Sequence, residues 1–220
     1  MSLFESLKAS CNEEWRQYIE HDFVRQLGKG TLPRECFQHY LKQDYLFLIQ
    51  FSRAWGLAIY KSDDLDSMRY AQAGLNAMLD TEIGMHVQYC RDWGIDEQAL
   101  NHLPEAAATV AYTRYVLDTG MAGDLLDLHV TLAPCILGYA EIAQWLAAQP
   151  DTVREGNPYN DWIEMYLSEE YRQAAQTELE LLEKLGADLP EPRLHQLQNR
   201  FRTATRMEVS FWQMGLDLTE

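Results

Sequence analysis

The chain has 220 residues, of which 47% are hydrophobic and 11% aromatic, enough to bury a sizeable core and too many for a disordered protein. Its 34 acidic and 18 basic residues give a formal net charge of -16. A surface this acidic repels nucleic-acid backbones and anionic lipids, so neither nucleic acid nor a membrane is an expected partner.

The cysteines and the N-terminal sequence predict a cytoplasmic protein. The four cysteines form no CxxC pair, which argues against a zinc knuckle or a thioredoxin-type motif. The N-terminal sequence MSLFESLKASCNEEW lacks the basic and apolar regions of a secretory signal. No uninterrupted apolar run approaches the roughly 18 residues that cross a bilayer. We therefore expect free thiols in the reducing cytoplasm.

Apolar residues recur at the three- and four-residue spacing of helices along almost the whole chain. The first helical segment is stopped by Gly28 and Gly30, Pro104 stands at a position favoured in a first helical turn, and Asp124 is a candidate N-cap. Short connections favour one all-α bundle of about seven helices, two of them interrupted, in a single domain over residues 1–220. The predicted helices cover residues 4–27, 34–55, 64–93, 104–120, 124–149, 159–185 and 192–216, with a loop at 154–161.

Two carboxylates lie on apolar helix faces. In the final predicted helix Glu208 continues the stripe that includes Phe211, and in the second helix Asp44 lies between Leu41 and Leu48. An ionised carboxylate in such a position is costly without partners. One such residue is commonly a boundary residue or is bonded to backbone, whereas two in separate helices indicate a shared internal polar site, because buried charges survive by finding partners.

Aromatic residues accompany these carboxylates. Each one alone is an ordinary amphipathic side chain at the edge of a core, but as a set they can stack on a flat heteroaromatic ligand. The set consists of Tyr40 and Phe47, which flank Asp44, of Tyr112 and Tyr115 on one helix face, and of Trp162 and Tyr166 on another.

The stretch HVTLAPCILGYAEIA places Pro134 and Cys135 inside the fifth predicted helix. Proline in a helix interior removes one hydrogen bond and costs ~3 kcal/mol; here it frees the carbonyl of Val130 and favours a bend. Cys135 is either a small buried hydrophobe or a nucleophile, and a thiol of ordinary acidity needs a base to become a thiolate. His129 lies on another face of the helix, so an acidic residue of another helix is the expected partner.

A metal site is a competing interpretation. Glu82 and His86 have the i, i+4 spacing that can hold one ion. A di-iron bundle, however, supplies Glu-x-x-His pairs from two helices and two further Glu residues, and the sequence has no second pair. Haem ligation by His21, His39, His86 or His129 has no supporting feature. We therefore expect neither a metal nor a cofactor.

A set of motifs in a specific order carries a resemblance to a known family. The motifs are YLKQDYLFLIQFSRAW (40–55), the Glu82/His86 helix, YTRYVL (112–117), APCILGYAEI (133–142), NPYNDWIEMY (157–166) and RMEVSFW (206–212). With them the chain resembles, from about residue 2 to 216, the cysteine-containing branch of the TenA family, also called thiaminase II or aminopyrimidine aminohydrolase.

The resemblance implies an all-α bundle similar in fold to haem oxygenase, without haem or metal and usually assembled as a homotetramer. It also implies hydrolysis of the bond between the exocyclic methylene and nitrogen of 4-amino-5-aminomethyl-2-methylpyrimidine, a breakdown product of thiamin. In the family, thiamin itself is often the poorer substrate. The product, 4-amino-5-hydroxymethyl-2-methylpyrimidine, returns to thiamin synthesis, so the implied role is thiamin salvage on a small-molecule substrate.

The resemblance also assigns roles to residues. It makes Cys135 the nucleophile, Glu208 the catalytic acid/base and Asp44 the carboxylate that contacts the pyrimidine. Apolar surroundings favour a protonated Glu208, which can then donate to a ring nitrogen. Many relatives have Tyr where this chain has Phe47, so any hydroxyl contact there is lost. The expected pocket aromatics are Phe47, Tyr112, Tyr139, Tyr166 and Phe211.

Three other interpretations compete with hydrolysis. A haem-oxygenase-like metal oxidase would use Glu82 and His86. A thiamin- or pyrimidine-binding protein would hold the ring without releasing ammonia. A helical scaffold with no site would keep Asp44, Glu208 and Cys135 far apart.

Overall fold

The computed structural model describes residues 2–92, 94, 100 and 102–220, and its regular structure is helical, with no strand among those residues. The predicted all-α class is therefore confirmed. The elements are α1 (Leu3–Ser10), α2 (Asn12–Ile19), α3 (Asp22–Gly28), α4 (Arg34–Lys61), α5 (Leu65–Asn76), a π-helical turn (Ala77–Glu82), α6 (Ile83–Asp92), α7 (Ala107–Ala122), α8 (Leu125–Ala148), α9 (Asn160–Leu167), α10 (Glu169–Leu185) and α11 (Glu191–Asp217).

The helical segment predicted over residues 4–27 is interrupted twice and forms α1, α2 and α3. At Cys11 the backbone leaves the helical region, with φ -141° and ψ 42°, and its N–H bonds to the carbonyl of Lys8. α3 begins after His21, whose Nδ1 accepts from the N–H of Phe23 at 3.2 Å. Periodicity does not reveal these breaks, because the apolar residues keep a helical spacing across consecutive short helices.

Side-chain caps set other helix boundaries. Asp124 caps α8 as predicted: its Oδ1 accepts from the N–H of Asp127 at 3.0 Å, and Oδ2 of Asp127 accepts from the N–H of Asp124 at 2.9 Å. The helix predicted over 159–185 is divided at Ser168, whose ψ is 153° and whose Oγ accepts from the N–H of Tyr171 at 3.1 Å. A cap inside the apolar pattern therefore ends α9 and starts α10.

The segment predicted as one helix over residues 64–93 consists of α5, the π-helical turn and α6. Asp64 caps α5, with its Oδ1 accepting from the N–H of Ser67 at 2.8 Å. Trp93, the predicted end of this helix, lies outside the described residues. A π-helical turn between two α-helices is uncommon and occurs frequently at functional sites.

The chain divides into two compact units. The first unit comprises Met1–Pro33 and His129–Gln213, and the second comprises Arg34–Leu128 and Met214–Glu220. Each has buried side chains of its own. The prediction of one domain over residues 1–220 stays a prediction.

Stacked aromatic rings build the core of the first unit. Trp15 of α2 stacks on Phe201 of α11 with ring centroids 5.4 Å apart, and Phe23 of α3 stacks on Trp212 of α11 at 4.9 Å. All four side chains are buried. Stacked pairs add about 0.5–1.5 kcal/mol each beyond the area that they bury, so these contacts hold α2 and α3 against α11.

Helix α4 is the centre of the second unit, where it packs against α5, α6 and α7. Phe51 stacks on Phe47, one turn earlier, with ring centroids 5.0 Å apart. Gly74 lets α5 approach the indole of Trp55, since a Cβ at that position would lie 2.7 Å from the ring. Asp44 and Phe47 thus lie on a helix that is supported by three neighbours.

Helix α8 is long and apolar enough to cross a membrane, with a mean hydropathy of 1.3 over its most apolar window. The argument from uninterrupted apolar runs missed it, because single polar residues interrupt those runs. Inside the protein 89% of the window is buried, as expected for a helix of a folded core. That the protein has no membrane partner stays a prediction.

Candidate functional site

Asp44 lies on the buried face of α4, as its apolar spacing predicts, with 4% of its surface exposed. Its Oδ2 accepts a hydrogen bond from the hydroxyl of Tyr40 at 3.1 Å and lies 2.5 Å from Nε2 of His86 on α6. His86 is completely buried. The carboxylate that had no partner in its own helix pattern is therefore paired with an imidazole 42 positions further along the chain.

The second ring nitrogen of His86 is bonded to backbone. Nδ1 lies 2.7 Å from the carbonyl oxygen of Glu82, which can only accept, so Nδ1 carries a proton. Burial by itself lowers the pKa of His86, but the charge of Asp44, the hydrogen bond to Asp44 and the Glu82 carbonyl together raise this pKa above its ordinary value. The surroundings of His86 therefore favour its protonated form.

The side chain of Glu82 is protonated at neutral pH. It is buried, and burial followed by the charge of Asp44 raises the pKa of this carboxyl to about 8, although His86 acts to lower it. Both ring nitrogens of His86 bond to protein atoms, so in this arrangement neither is turned towards an ion, contrary to the geometry that a Glu82/His86 metal site requires.

Phe47 and Tyr112 form an aromatic pair in the same unit. Phe47 follows Asp44 by one turn on α4, and its ring packs against Tyr112 of α7 with centroids 5.0 Å apart and planes at 43°. Both rings are buried. The second unit therefore brings together three of the predicted site residues, one carboxylate and two rings.

The buried amide of Gln43 positions Tyr112 by anchoring the start of α7. Its Oε1 accepts from the N–H of Ala106 and from the hydroxyl of Thr109, both at 2.8 Å, and its Nε2 donates to the carbonyl of Pro104 at 3.1 Å. Because these bonds hold the preceding residues in an extended form, with ψ 155° at Ala106, α7 begins later than the predicted start at Pro104. Sequence reasoning missed Gln43, although it stands in the motif KQDY.

Cys135 lies on α8 in the first unit and is only partly buried. The helix continues through Pro134. Tyr18 of α2 donates to the carbonyl of Pro134 at 3.1 Å, and Tyr171 of α10 donates to the carbonyl of Ile136 at 3.1 Å. Tyrosines of two other helices therefore hold the backbone on either side of the thiol. The predicted bend at Pro134 stays a prediction.

Gly138 allows Tyr18 to reach this backbone. A Cβ at position 138 would lie 2.3 Å from Cε1 of the tyrosine ring, far closer than two carbon atoms can approach. The residue after the PCIL sequence is therefore glycine for a packing reason, which no helix pattern reveals.

Tyr139 and Tyr166 belong to a cluster of buried rings in the first unit. Their ring centroids are 4.9 Å apart. Tyr139 also lies 5.7 Å from Trp162 and 5.4 Å from Trp212. The structure thus brings together two of the predicted pocket tyrosines, one of them a single turn after Cys135, and adds Trp212 to the set.

Glu208 and Phe211 lie on α11 and are each 2% exposed, as the apolar stripe predicts. They belong to the first unit with the residues around Cys135, whereas Asp44 and its neighbours belong to the second. That the two sets line one pocket stays a prediction.

The chain has extensive similarity to known proteins. The model of the TENA/THI-4/PQQC family matches residues 8–218. The chain is 48% identical over 216 residues to an uncharacterised protein of Haemophilus influenzae, covering 98% of this chain and 100% of that protein. It is 34% identical over 216 residues to an aminopyrimidine aminohydrolase of Halalkalibacterium halodurans, covering 98% of this chain and 96% of the relative.

Solved structures agree with the fold. A TenA family transcription regulator from a Silicibacter species superposes with a TM-score of 0.92 at 44% identity, covering 98% of this chain and 96% of the other. A Shewanella denitrificans domain of unknown function with a haem oxygenase-like fold gives a TM-score of 0.73 at 11% identity, covering 99% and 93%. The latter likeness concerns the fold alone, and it confirms the predicted similarity to the haem oxygenase fold.

Proposed function

The chain belongs to the TENA/THI-4/PQQC family, and on that premise we propose that it is an aminopyrimidine aminohydrolase, a hydrolase of a carbon–nitrogen bond. The Halalkalibacterium halodurans relative that bears this name matches nearly the whole chain. The observation that carries the proposal is the buried Asp44 carboxylate, ion-paired with His86 and one turn from the Phe47–Tyr112 pair. A carboxylate beside aromatic rings suits a flat heterocycle that bears an amino donor.

The substrate of the proposal is 4-amino-5-aminomethyl-2-methylpyrimidine, with thiamin hydrolysed more weakly. Its exocyclic 4-amino group donates to Asp44, and its ring offers a face to the aromatic side chains. The products are ammonia and 4-amino-5-hydroxymethyl-2-methylpyrimidine.

Cys135 is the nucleophile of the proposed reaction. Its sulfur adds to the ring carbon beside a ring nitrogen, and that nitrogen takes up a proton from Glu208. The ring loses its aromaticity, and its electrons expel the side-chain amine, which leaves as ammonia with the proton of the thiol. An exocyclic carbon–carbon double bond remains.

Water completes the cycle. Its oxygen bonds to the exocyclic methylene and its proton restores the thiol, while the carbon–sulfur bond breaks and the ring nitrogen returns its proton to Glu208. One C–N bond is thus exchanged for one C–O bond, with one water consumed. Acid–base assistance of this kind contributes ~10²–10⁴-fold to the rate, so Glu208→Gln is expected to lose about that factor in kcat.

In the decisive experiment the protein is incubated separately with the aminopyrimidine and with thiamin. The release of ammonia is measured with the first substrate and the release of the thiazole with the second. Wild type is expected to favour the aminopyrimidine, and Cys135→Ala to release neither product. Cys36→Ala is the matched control, because Cys36 is a buried thiol of α4 that bonds to the carbonyl of Leu216 at 3.4 Å and has no proposed role.

Each rival has its own outcome. Turnover by Cys135→Ala would show that Cys135 is not the nucleophile. Full turnover by Glu208→Gln together with an inactive Cys135→Ser would show that Glu208 is not the acid/base. Ring binding by the wild type without ammonia release would indicate a binding protein. Stoichiometric iron that the activity requires would indicate a metal oxidase.

We also infer from the resemblance that the protein is a cytoplasmic homotetramer acting in thiamin salvage. Sedimentation of the purified protein tests the assembly, since a mass of 25.5 kDa would correspond to a single chain. The role in salvage is tested with a thiamin-requiring strain that is supplied with the aminopyrimidine. Growth is expected only when the strain produces this protein.

A further inference from the structure

Both hydrogen bonds of the Asp44 carboxylate fall on one oxygen atom. Oδ2 receives the hydroxyl of Tyr40 at 3.1 Å and the Nε2–H of His86 at 2.5 Å. Within the part of the chain that the structure describes, no group bonds to Oδ1. The protein therefore holds one carboxylate oxygen and leaves the lone pairs of the other for a ligand.

The orientation of His86 is set independently of Asp44. Its Nδ1–H donates at 2.7 Å to the carbonyl of Glu82, the last residue of the π-helical turn Ala77–Glu82. The ring cannot turn away from Asp44 without breaking two hydrogen bonds in a fully buried place, where neither is replaced by water. The plane of the carboxylate is thus fixed by an imidazole that is itself fixed by backbone.

The charges of the cluster lead to the same role. The charged groups that act on His86 are Asp44 and Glu82, and the hydroxyl of Tyr40 adds its hydrogen bond to Asp44. Burial and the charge of Asp44 raise the pKa of Glu82 to about 8, so at pH 7 the carboxyl of Glu82 is protonated and Asp44 is the acidic partner of the imidazole. Without the imidazole, Oδ2 of Asp44 would lose the group that holds it at 2.5 Å.

We propose that His86 is a positioning residue of the pyrimidine site, which holds Oδ2 of Asp44 and turns its Oδ1 to accept from the exocyclic amino group of a 4-aminopyrimidine. This inference rests on the proposed function, because the ligand is the ring of that substrate. His86 has no proton to exchange with the substrate, since Nδ1 is bonded to backbone and Nε2 to Asp44. Its influence passes through Asp44.

A double-mutant cycle tests this role with wild type, His86→Gln, Asp44→Asn and the double variant. Calorimetry measures the affinity for 4-amino-5-hydroxymethyl-2-methylpyrimidine, and ammonia release measures KM and kcat. In His86→Gln we expect the affinity to fall and KM to rise about tenfold or more at pH 7, with kcat changed by less than about threefold. This is the pattern of an interaction that binds the ground state and the transition state equally. In the Asp44→Asn background the same change is expected to have little further effect, about twofold at most, because residues that act through one another are not additive.

The division of the effect between KM and kcat is a readout that a purely structural residue would not give. A loss in kcat with unchanged KM, or additive losses in the cycle, would overturn the inference.

Matched variants separate folding from positioning. His129→Gln changes a second buried imidazole–carboxylate pair, formed with Glu178, and is expected to leave the affinity and KM of the folded fraction unchanged. If His86→Gln does not fold, the affinity of Asp44→Asn is compared with that of the double variant, in which no unpaired buried charge remains. Equal affinities are expected, and an affinity of the double variant lower by a further factor of ten would overturn the inference.

Failure of the inference and failure of the proposed function are distinguishable. A wild type that binds the ring but releases no ammonia contradicts the proposed function, while the binding cycle still decides the role of His86. A wild type that neither binds nor reacts contradicts both. Ammonia release with an additive cycle contradicts only the role of His86.

Discussion

The hydroxyl of Tyr18 donates to the carbonyl of Pro134 at 3.1 Å, while its ring lies against Gly138 one turn further along α8. Proline at position 134 removes a backbone donor from the interior of the helix. The turn that presents Cys135 is therefore held from outside, by a tyrosine of α2, and its geometry depends on the close approach that Gly138 allows.

A methyl group at Gly138 is expected to disturb this turn. In Gly138→Ala the new Cβ would lie 2.3 Å from Tyr18 Cε1, so the ring must move, at an expected cost of about 1–3 kcal/mol in the free energy of unfolding. Urea unfolding measures it. Gly56→Ala is the control: nothing lies within 4 Å of a Cβ there, and replacing glycine inside α4 is expected to stabilise by roughly 0.5–1 kcal/mol. Equal stability of the two variants would contradict this account.

The raised pKa of Glu82 predicts a loss of stability as the pH rises. This carboxyl titrates near pH 8 in the folded protein and near 4.5 when exposed, so between these values the folded state binds more protons and the free energy of unfolding falls. His86, whose pKa is also raised, acts in the same direction at higher pH. The free energy of unfolding of Glu82→Gln is expected to exceed that of the wild type by up to about 3 kcal/mol at pH 7 and to equal it at pH 4.

Urea unfolding between pH 4 and pH 9 checks the Glu82 prediction. Glu180→Gln is the control, because Glu180 is exposed and its replacement is expected to leave the pH dependence of the wild type unchanged. The prediction is wrong if Glu82→Gln and the wild type lose stability in parallel as the pH rises.

The buried pair of His129 and Glu178 is expected to stabilise the first unit only while both partners are present. Nδ1 of His129 lies 3.0 and 3.1 Å from the two carboxylate oxygens, and both side chains are almost completely buried. His129→Leu leaves the carboxylate without this partner and is expected to cost about 3–5 kcal/mol, whereas adding Glu178→Leu is expected to recover part of the loss. Chemical denaturation of the two variants measures this. A double variant less stable than His129→Leu would exclude the explanation.

Loss of the Gln43 amide is expected to loosen the start of α7. Gln43→Leu leaves the N–H of Ala106 and the hydroxyl of Thr109 without their acceptor, which costs about 1–3 kcal/mol for each buried group. Hydrogen exchange in the first turn of α7 is expected to accelerate, and KM to rise through displacement of Tyr112. The control is Gln50→Leu, which removes one long bond of 3.5 Å to Glu105. Unchanged exchange at Ala106 would show that Gln43 does not anchor this helix.

Local patterns predict local features of this chain well. The burial of Asp44 and Glu208 follows from their place in apolar stripes, and the N-cap at Asp124 follows from its residue type and the pattern after it. The breaks at Cys11 and Ser168 were missed, because apolar spacing persists across them. At Ser168 the side-chain cap of the next helix competes with the continuous pattern.

The sequence by itself determined that the chain is helical, which helix faces are buried and which carboxylates lie on them, because these properties depend on spacing within one helix. Only the tertiary structure decided what meets those faces. His86 reaches Asp44 across 42 positions, and Tyr18 reaches Pro134 across 116. Helical periodicity indicates that a residue is turned inward, but it does not indicate which helix packs opposite to it. The identity of that helix depends on the packing of all the side chains in a unit.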